Sequence, residues 1–233
     1  MSPAVVTSGP IRRLVVVRHG VTDHNARGIW QGHLDSPLSE DGLAQAEEAA
    51  RELAAYDPDL IVSSDLQRAR VTAEIIAAAC PGQQVRVDPR LREIHVGQWQ
   101  GLERAEMTER FPDAPTLLSG TEDFRRGVDG ETYGELADRM HAACTDLFGD
   151  LPEGGTLFLI THGVSARALT GDLLGLDREA SWGILEGLGN CHWAEMRETA
   201  PGTDRWRLVG WNLRTPPVDS RQGARFGAQT PRG

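Results

Sequence analysis

Two short segments of this chain each end an apolar run in histidine and glycine. One finishes in Arg18-His19-Gly20, and the other finishes in Thr161-His162-Gly163. In an open α/β sheet, ligands bind outside the carboxyl ends of the strands. Two buried strands that end in this way would place two imidazoles at one edge of a sheet. This arrangement would suit a site that transfers a phosphoryl group.

Cleavage of a phosphate monoester requires a nucleophile, fixed cations and a proton for the leaving oxygen. His19 is the candidate nucleophile, because histidine can form a covalent phospho-enzyme. The guanidinium of Arg18 presents a fork of donors that matches phosphate oxygens. Gly20 would leave room for a backbone N–H to approach the anion. The alternative is an ordinary surface Arg-His pair at the end of a strand.

Three further residues could complete such a site. Arg68 falls in the first turn of a predicted helix, where an anion is already favoured, although it could equally be a solvated helix arginine. His162 could be a cationic imidazole that hydrogen-bonds the transferring group, or a histidine at the edge of the core. Glu93 could protonate the leaving oxygen if its carboxyl is held protonated, or it could simply lie at the surface.

Strands and helices alternate along the sequence. Short apolar runs predict strands, and the longer periodic segments predict helices, with Ser39 capping the first and the Ser63-Ser64-Asp65 turn offering caps to the second. The predicted strands are 14–17, 60–62, 85–87, 157–161, 192–196 and 206–211. The predicted helices are one that follows Ser39 and runs through Leu53, one that carries Arg68, Thr72 and Ile76, 131–148 and about 165–174. This order predicts an α/β fold, a three-layer sandwich with a mostly parallel central sheet and helices on both faces.

The composition limits the class of protein. The chain has 233 residues and a net charge of −10 at pH 7, which argues against a nucleic-acid-binding surface. No apolar run reaches the ~20 residues of a membrane span, so we expect no membrane partner and a cytoplasmic location. The three cysteines lie far apart and in no metal-ligand spacing, which indicates free thiols.

The chain divides into three predicted regions. Residues 1–11 are expected to form a flexible leader, and 12–214 a single domain. Pro, Gly, Arg and Gln dominate 215–233, which is therefore predicted to be a disordered tail. The polar stretch 111–130, with its prolines and glycines, is predicted to be a loop or lid.

Taken together, these motifs resemble the histidine phosphatase superfamily, which includes the cofactor-dependent phosphoglycerate mutases. The resemblance runs in order from about residue 13 to residue 175. It rests on Arg18-His19-Gly20, Thr22, Asn25, Gly32, Asp35, Leu38, Gly42, the segment from Ser64 through Arg68 to Ala73, Glu93, Gly97, Gly101 and Thr161-His162-Gly163. Val21 departs from the pattern, since the family often has Glu or Gln there.

The resemblance implies a role for each site residue. His19 would be the phosphorylated nucleophile, Glu93 the proton donor and later the base for water, and His162 a third catalytic residue. The substrate-binding residues that it implies are Arg18, Asn25 and Arg68. It implies neither a metal nor another cofactor, and a small phosphorylated metabolite as the partner. A homodimer is an assembly that the sequence allows.

The resemblance leaves three functions to separate. Mutases of the family carry an insertion with clustered basic residues, whereas the segment after Gly101 has Glu103, Glu106 and Glu109 among scattered arginines. This favours a phosphomonoesterase that works through a phosphohistidine over the mutase alternative. A non-catalytic phosphate-binding protein is the third possibility, although both imidazoles, both arginines and Glu93 are present. Further motifs extend the likeness to about residue 212, namely residues 60–66, 85–88, 91–93 and 97–102, Gly189-Asn190 with Trp193, residues 205–208, and Trp211-Asn212. These motifs resemble a subgroup that acts on glucosyl-3-phosphoglycerate.

Overall fold

A mixed sheet forms the centre of the molecule. The computed structural model describes residues 9–120 and 122–216. Within these residues the strand order is β3-β2-β4-β1-β5-β6. The first four strands are parallel to one another, β5 pairs antiparallel with β1, and β6 pairs antiparallel with β5. The strands are β1 (Arg13–Arg18), β2 (Leu60–Ser63), β3 (Val85–Val87), β4 (Thr156–Thr161), β5 (Trp193–Glu198) and β6 (Trp206–Leu213).

Helices connect the strands and surround the sheet. In the described part of the chain the α-helices are α1 (Asp23–Arg27), α2 (Glu40–Leu53), α3 (Gln67–Ala78), α4 (Arg104–Arg110), α5 (Ala114–Ser119), α6 (Tyr133–Gly149), α7 (Gly163–Leu173) and α8 (Arg178–Ile184). No helix within residues 9–120 and 122–216 has the length and apolar character needed to cross a bilayer.

The alternation of side chains along the buried strands builds a core on each face of the sheet. In β1, Leu14 and Val16 belong to the core that includes residues of α6 and α7, whereas Val15 and Val17 belong to the core that includes residues of α2 and α3. All four side chains are fully buried, since successive residues of a strand point to opposite faces. The predicted three-layer α/β architecture is therefore confirmed.

The parallel register brings the two His-Gly motifs together. Arg18, the last residue of β1, pairs with Thr161, the last residue of β4, and Ser63 at the end of β2 pairs with Ile160. His19 and His162 therefore leave the sheet from neighbouring strands at the same level. The sheet edge that the sequence predicted is confirmed.

The structure also differs from the predictions in detail. The stretch 111–130, predicted as a loop or lid, contains the helix α5 followed by turns. The start of α3 is capped from a distant segment, because the N–H of Gln67 donates to Asp35 at 2.6 Å, and not from the predicted turn. Ser64 of that turn reaches only the N–H of Leu66, at 3.3 Å. Residues 1–8 of the predicted leader and 217–233 of the predicted tail lie outside the described residues.

Helices α4 and α5 form a small surface unit near the carboxyl edge of the sheet. Met107 of α4 and Ala114 of α5 are buried against the core, while most other residues of the two helices are exposed. The unit begins at Glu103, which forms an isolated antiparallel bridge with Ile29. It therefore packs through a few apolar contacts beside the loop that follows β1.

Candidate active site

His19 is held in one tautomer by its own backbone neighbour. The residue follows β1 directly and is 3% exposed. Its Nδ1 lies 2.6 Å from the carbonyl oxygen of Gly20, which can only accept a hydrogen bond, so Nδ1 carries the proton and Nε2 carries the lone pair. Burial, together with the charges of Arg68 and Arg18, holds the pKa of His19 well below its ordinary value. The ring is therefore a neutral imidazole with a free nucleophilic nitrogen.

His162 lies against His19 at the end of β4. The centroids of the two rings are 5.1 Å apart, at an interplanar angle of 62°. Nε2 of His162 lies 3.0 Å from the hydroxyl oxygen of Ser64, while its Nδ1 is buried without a hydrogen-bond partner among the described residues. Burial is the main reason that the pKa of His162 is also held well below its ordinary value. In the ligand-free protein the imidazole is neutral, in contrast to the cation considered from the sequence.

Arg18, which is half-buried, and Arg68, which is buried, place two cations beside these rings. Nη1 of Arg18 donates to the carbonyl of Leu188 at 2.6 Å. Nη1 and Nη2 of Arg68, which is 1% exposed, donate to the carbonyls of Leu34 at 2.6 Å and of Gly32 at 2.8 Å. Neither guanidinium forms an ion pair within residues 9–120 and 122–216, and the Nε of each is buried without a partner there.

These two arginines make the pocket a site for an anion. Burial lowers the pKa of Arg18, and it lowers the pKa of Arg68 to about 10, with the charge of Glu93 opposing the shift in both cases. Both side chains therefore remain cationic at neutral pH. Buried charges are costly unless they are paired, so an anion that enters between them gains a strong interaction.

Glu93 is fixed at the N-terminus of α7. Its carboxylate accepts hydrogen bonds from the backbone N–H of Ile94 at 2.9 Å, of Val164 at 3.2 Å and of Ser165 at 3.1 Å. The hydroxyl of Ser165 donates to the same carboxylate at 3.1 Å. The helix N-terminus favours a negative group at this position, so the carboxylate has one defined orientation.

Asn25 closes the site from the short helix α1. Thr22 and Asn25 form a capping box, in which the N–H of Thr22 donates to Oδ1 of Asn25 at 3.1 Å and the N–H of Asn25 donates to the hydroxyl of Thr22 at 3.2 Å. Because Oδ1 serves the helix cap, the amide nitrogen is left as a donor for a ligand.

Five of the six candidate residues line one cavity of about 340 Å³. The sixth, His162, is 0% exposed and packs directly against His19, with the ring centroids 5.1 Å apart. The lining residues are Arg18, His19, Asn25, Gly28, Ile29, Trp30, Gln31, Gly32, Arg68, Glu93, Ile94, Val96, Arg104 and Val164. A volume of this size can hold a small phosphorylated molecule.

Gly20 has a packing role in the structure. Its own N–H donates to the hydroxyl of Thr72 at 3.1 Å. A Cβ at this position would lie 2.5 Å from the carbonyl oxygen of Gly42 in α2. The missing side chain lets the first turn of α2 lie directly against the loop that carries His19.

Several residues of the site have no clear signal in the sequence. The segment before β5 supports the loop of His19, because Nδ2 of Asn190 donates to the carbonyl of His19 at 2.9 Å and the N–H of Cys191 donates to that of Arg18 at 3.0 Å. Arg104 reaches the cavity from α4. Contacts such as these join segments that are distant in the sequence, so no local pattern of residues predicts them.

No cluster with the composition of a metal site appears in the described part of the chain. Within residues 9–120 and 122–216, no group of three or more His, Cys, Asp and Glu side chains could hold a metal ion. The positive charge of the cavity comes from arginine side chains. Cys80, Cys144 and Cys191 are buried and free, in agreement with the prediction of free thiols.

Comparison with known proteins assigns the chain to a family. The family model of the histidine phosphatase superfamily (branch 1) matches residues 14–214. The chain belongs to this superfamily, which confirms the resemblance found in the sequence.

Named relatives extend the comparison. The chain is 42% identical over 214 residues to glucosyl-3-phosphoglycerate phosphatase of Mycobacterium tuberculosis, a match that covers 86% of this chain and 94% of the relative. A solved structure of mycobacterial glucosyl-3-phosphoglycerate phosphatase complexed with VO3 superimposes with a TM-score of 0.79 at 40% identity, covering 87% of this chain and 99% of that one. A probable phosphoglycerate mutase of Escherichia fergusonii is 36% identical over 204 residues, or 87% of this chain and 91% of the relative.

Proposed function

We propose that this protein hydrolyses a phosphate monoester through a phosphohistidine formed on His19. The observation that carries the proposal is the hydrogen bond from Nδ1 of His19 to the carbonyl of Gly20, 2.6 Å long, in a cavity that Arg18 and Arg68 also line. It directs the Nε2 lone pair of a neutral imidazole to the place where the two cations would hold a phosphate.

In the first step, Nε2 of His19 attacks phosphorus and the bond from phosphorus to the substrate oxygen breaks. Arg18 and Arg68 stabilise the negative charge on the phosphoryl oxygens, and Asn25 adds a hydrogen bond. The protonated carboxyl of Glu93 transfers its proton to the leaving oxygen, so that an alcohol departs.

In the second step, water attacks the phosphohistidine. The carboxylate of Glu93 takes a proton from the water as the new P–O bond forms and the P–N bond breaks, which releases inorganic phosphate and restores neutral His19. His162 supports both steps as a hydrogen-bond donor. When the hydroxyl of Ser64 donates to its Nε2, the proton of the neutral ring is on Nδ1, which lacks a protein partner and can donate to a phosphoryl oxygen.

The substrate that we propose is glucosyl-3-phosphoglycerate. The relatives named for this activity support it, at 42% identity over 86% of the chain. The phosphoglycerate mutase alternative has support from relatives of about 36% identity. The charge of the segment 102–130 favours the phosphatase, because Glu103, Glu106 and Glu109 stand where a mutase would need clustered cations to retain a bisphosphorylated intermediate.

The mechanism can be tested by trapping the covalent intermediate. Rapid quenching of the enzyme with substrate should yield an acid-labile, base-stable phosphohistidine, and His19→Ala should abolish both this species and turnover. Turnover by His19→Ala at the wild-type rate would refute the mechanism.

The choice between phosphatase and mutase needs two assays on one preparation. We expect phosphate release from glucosyl-3-phosphoglycerate and little exchange between 2- and 3-phosphoglycerate, even with the bisphosphate primer. Primer-dependent exchange that is much faster than phosphate release would establish the mutase. No reaction in either assay, with intact phosphate binding, would favour the non-catalytic alternative.

A further inference from the structure

A second cavity adjoins the one that contains His19. It also has a volume of about 340 Å³ and shares two lining residues, Trp30 and Arg104, with the first cavity. The other lining residues come from α4 and α5, namely Met107, Thr108, Pro115, Leu118 and Ser119. A substrate whose phosphate lies at His19 can therefore extend past Trp30 and Arg104 into this second space.

Arg104 provides an available cation at the junction of the two cavities. The residue is exposed, and the neighbouring carboxylates are engaged elsewhere: Glu103 pairs with Arg27 at 2.8 Å, and Glu106 accepts the N–H of Glu103 at 2.9 Å. Across residues 9–120 and 122–216, the guanidinium of Arg104 makes no ion pair or hydrogen bond. Its planar fork of donors is suited to a carboxylate.

Trp30 gives the junction a fixed aromatic wall. The backbone N–H of Trp30 donates to the carbonyl of Leu102 at 2.9 Å, and its backbone carbonyl accepts the N–H of Gly101 at 2.8 Å. The indole ring packs on Trp99, with the ring centroids 5.3 Å apart. These contacts hold the indole without closing the cavity. An aromatic ring fixed in this way can pack against the apolar face of a sugar ring.

The remaining walls combine apolar and hydroxyl groups. Met107, Pro115 and Leu118 present apolar surface, and the hydroxyls of Thr108 and Ser119 donate to backbone carbonyls of their own helices at 3.0 Å each. Each hydroxyl oxygen therefore keeps lone pairs that can accept hydrogen bonds from a ligand. Apolar faces with a few acceptors fit a sugar better than they fit a second phosphate.

We propose that the second cavity is the subsite for a glycosyl group, and that Arg104 binds a carboxylate at its entrance. The proposal rests on the proposed function and adds the part of the substrate beyond the phosphate. In a glycosylated phosphoglycerate, the carboxylate and the glycosyl oxygen are both attached to the carbon next to the phosphorylated one. Both groups therefore reach the junction together when the phosphate lies at His19.

The test compares three substrates. p-Nitrophenyl phosphate has neither a carboxylate nor a sugar, 3-phosphoglycerate has the carboxylate, and glucosyl-3-phosphoglycerate has both the carboxylate and the sugar. For Arg104→Ala we expect kcat/KM on both carboxylate substrates to fall by roughly 10-fold or more relative to p-nitrophenyl phosphate, as the loss of a charged hydrogen bond predicts. Arg110→Ala, an exposed arginine of the same helix outside both cavities, is the matched control.

A second variant tests the sugar subsite itself. Ser119→Trp should fill the second cavity and lower kcat/KM on glucosyl-3-phosphoglycerate by roughly 10-fold relative to 3-phosphoglycerate, the size of effect that lost pocket contacts produce. Thr116→Trp, at an exposed position of the same helix that does not line this cavity, is the control.

The outcomes separate the two proposals. If the wild-type protein hydrolyses the substrates but Arg104→Ala and Ser119→Trp change all three values of kcat/KM equally, or no more than their controls do, the subsite is refuted and the phosphatase stands. If the wild-type protein releases phosphate from none of the three, both the proposed function and the subsite are refuted.

Discussion

Acidification should destabilise the ligand-free protein because two of its histidines are buried as neutral rings. Burial holds the pKa values of His19 and His162 well below 6.5, whereas both rings titrate near 6.5 in the unfolded chain. The unfolded state therefore binds more protons below pH 6.5, and the free energy of unfolding falls as the pH falls. Between pH 7.5 and 5.5 each histidine costs about 1.4 kcal/mol, or about 2.7 kcal/mol for the pair.

Urea unfolding at the two pH values measures this effect. The double variant His19→Asn, His162→Asn lacks both titrating rings, so its free energy of unfolding should fall by about 2.7 kcal/mol less than that of the wild-type protein over the same interval. The contribution of His33, whose pKa is also lowered by burial, is common to both proteins and cancels. Equal losses in the two proteins would refute the conclusion that both rings are neutral.

Three further predictions concern the acid, the packing of α2 and metal. Glu93→Gln should slow the hydrolysis of an alkyl phosphate by ~10²-fold or more, because an alkoxide leaving group needs a proton. Hydrolysis of an activated aryl phosphate should slow less, and an equal loss on both substrates would exclude the acid role. Gly42→Ala would place a Cβ 2.1 Å from the carbonyl oxygen of Val21, so calorimetry should show a loss of about 1–3 kcal/mol, whereas Gly149→Ala, with nothing within 4 Å, should not destabilise. The rate of phosphate release should be unchanged by EDTA, because arginine side chains provide the positive charge of the cavity. A loss of activity in EDTA that Mg²⁺ or Zn²⁺ restores would contradict this prediction.

The core of the fold and site could be predicted because its signals are local. An apolar run that ends in a catalytic residue type is visible in the sequence, and the carboxyl ends of parallel strands meet at one edge. The structure places Arg18, His19 and His162 at such an edge, with Arg68 in the first turn of α3. The strands differ from their predicted bounds by a few residues at most, as is usual for helix and strand ends.

The features that escaped prediction depend on contacts between distant segments. Asp35 caps α3 across 32 residues, and the support of His19 by Asn190 spans 171 residues. Short helices such as α4, of seven residues, have too few turns for a clear periodic pattern. The neutral state of the His162 ring also follows from its complete burial, which lowers its pKa and which the sequence alone does not reveal.

Some expectations stay predictions. The homodimer, the cytoplasmic location and the absence of nucleic-acid binding rest on the sequence alone. The same holds for the division of the chain into a leader, a domain of residues 12–214 and a tail.

The attachment of α4 and α5 has a consequence for how this enzyme can be redesigned. The groups proposed to bind phosphate lie on the strand ends, on α1, α3 and the segment of Glu93, whereas α4 and α5 contribute buried contacts mainly through Met107 and Ala114. A foreign helical pair that preserves these two apolar anchors could be grafted between residues 103 and 120 without moving a phosphate ligand. Trp30, on the loop after β1, would stay in place, so the exchange would alter the walls that α4 and α5 give to the second cavity and leave the phosphate site unchanged.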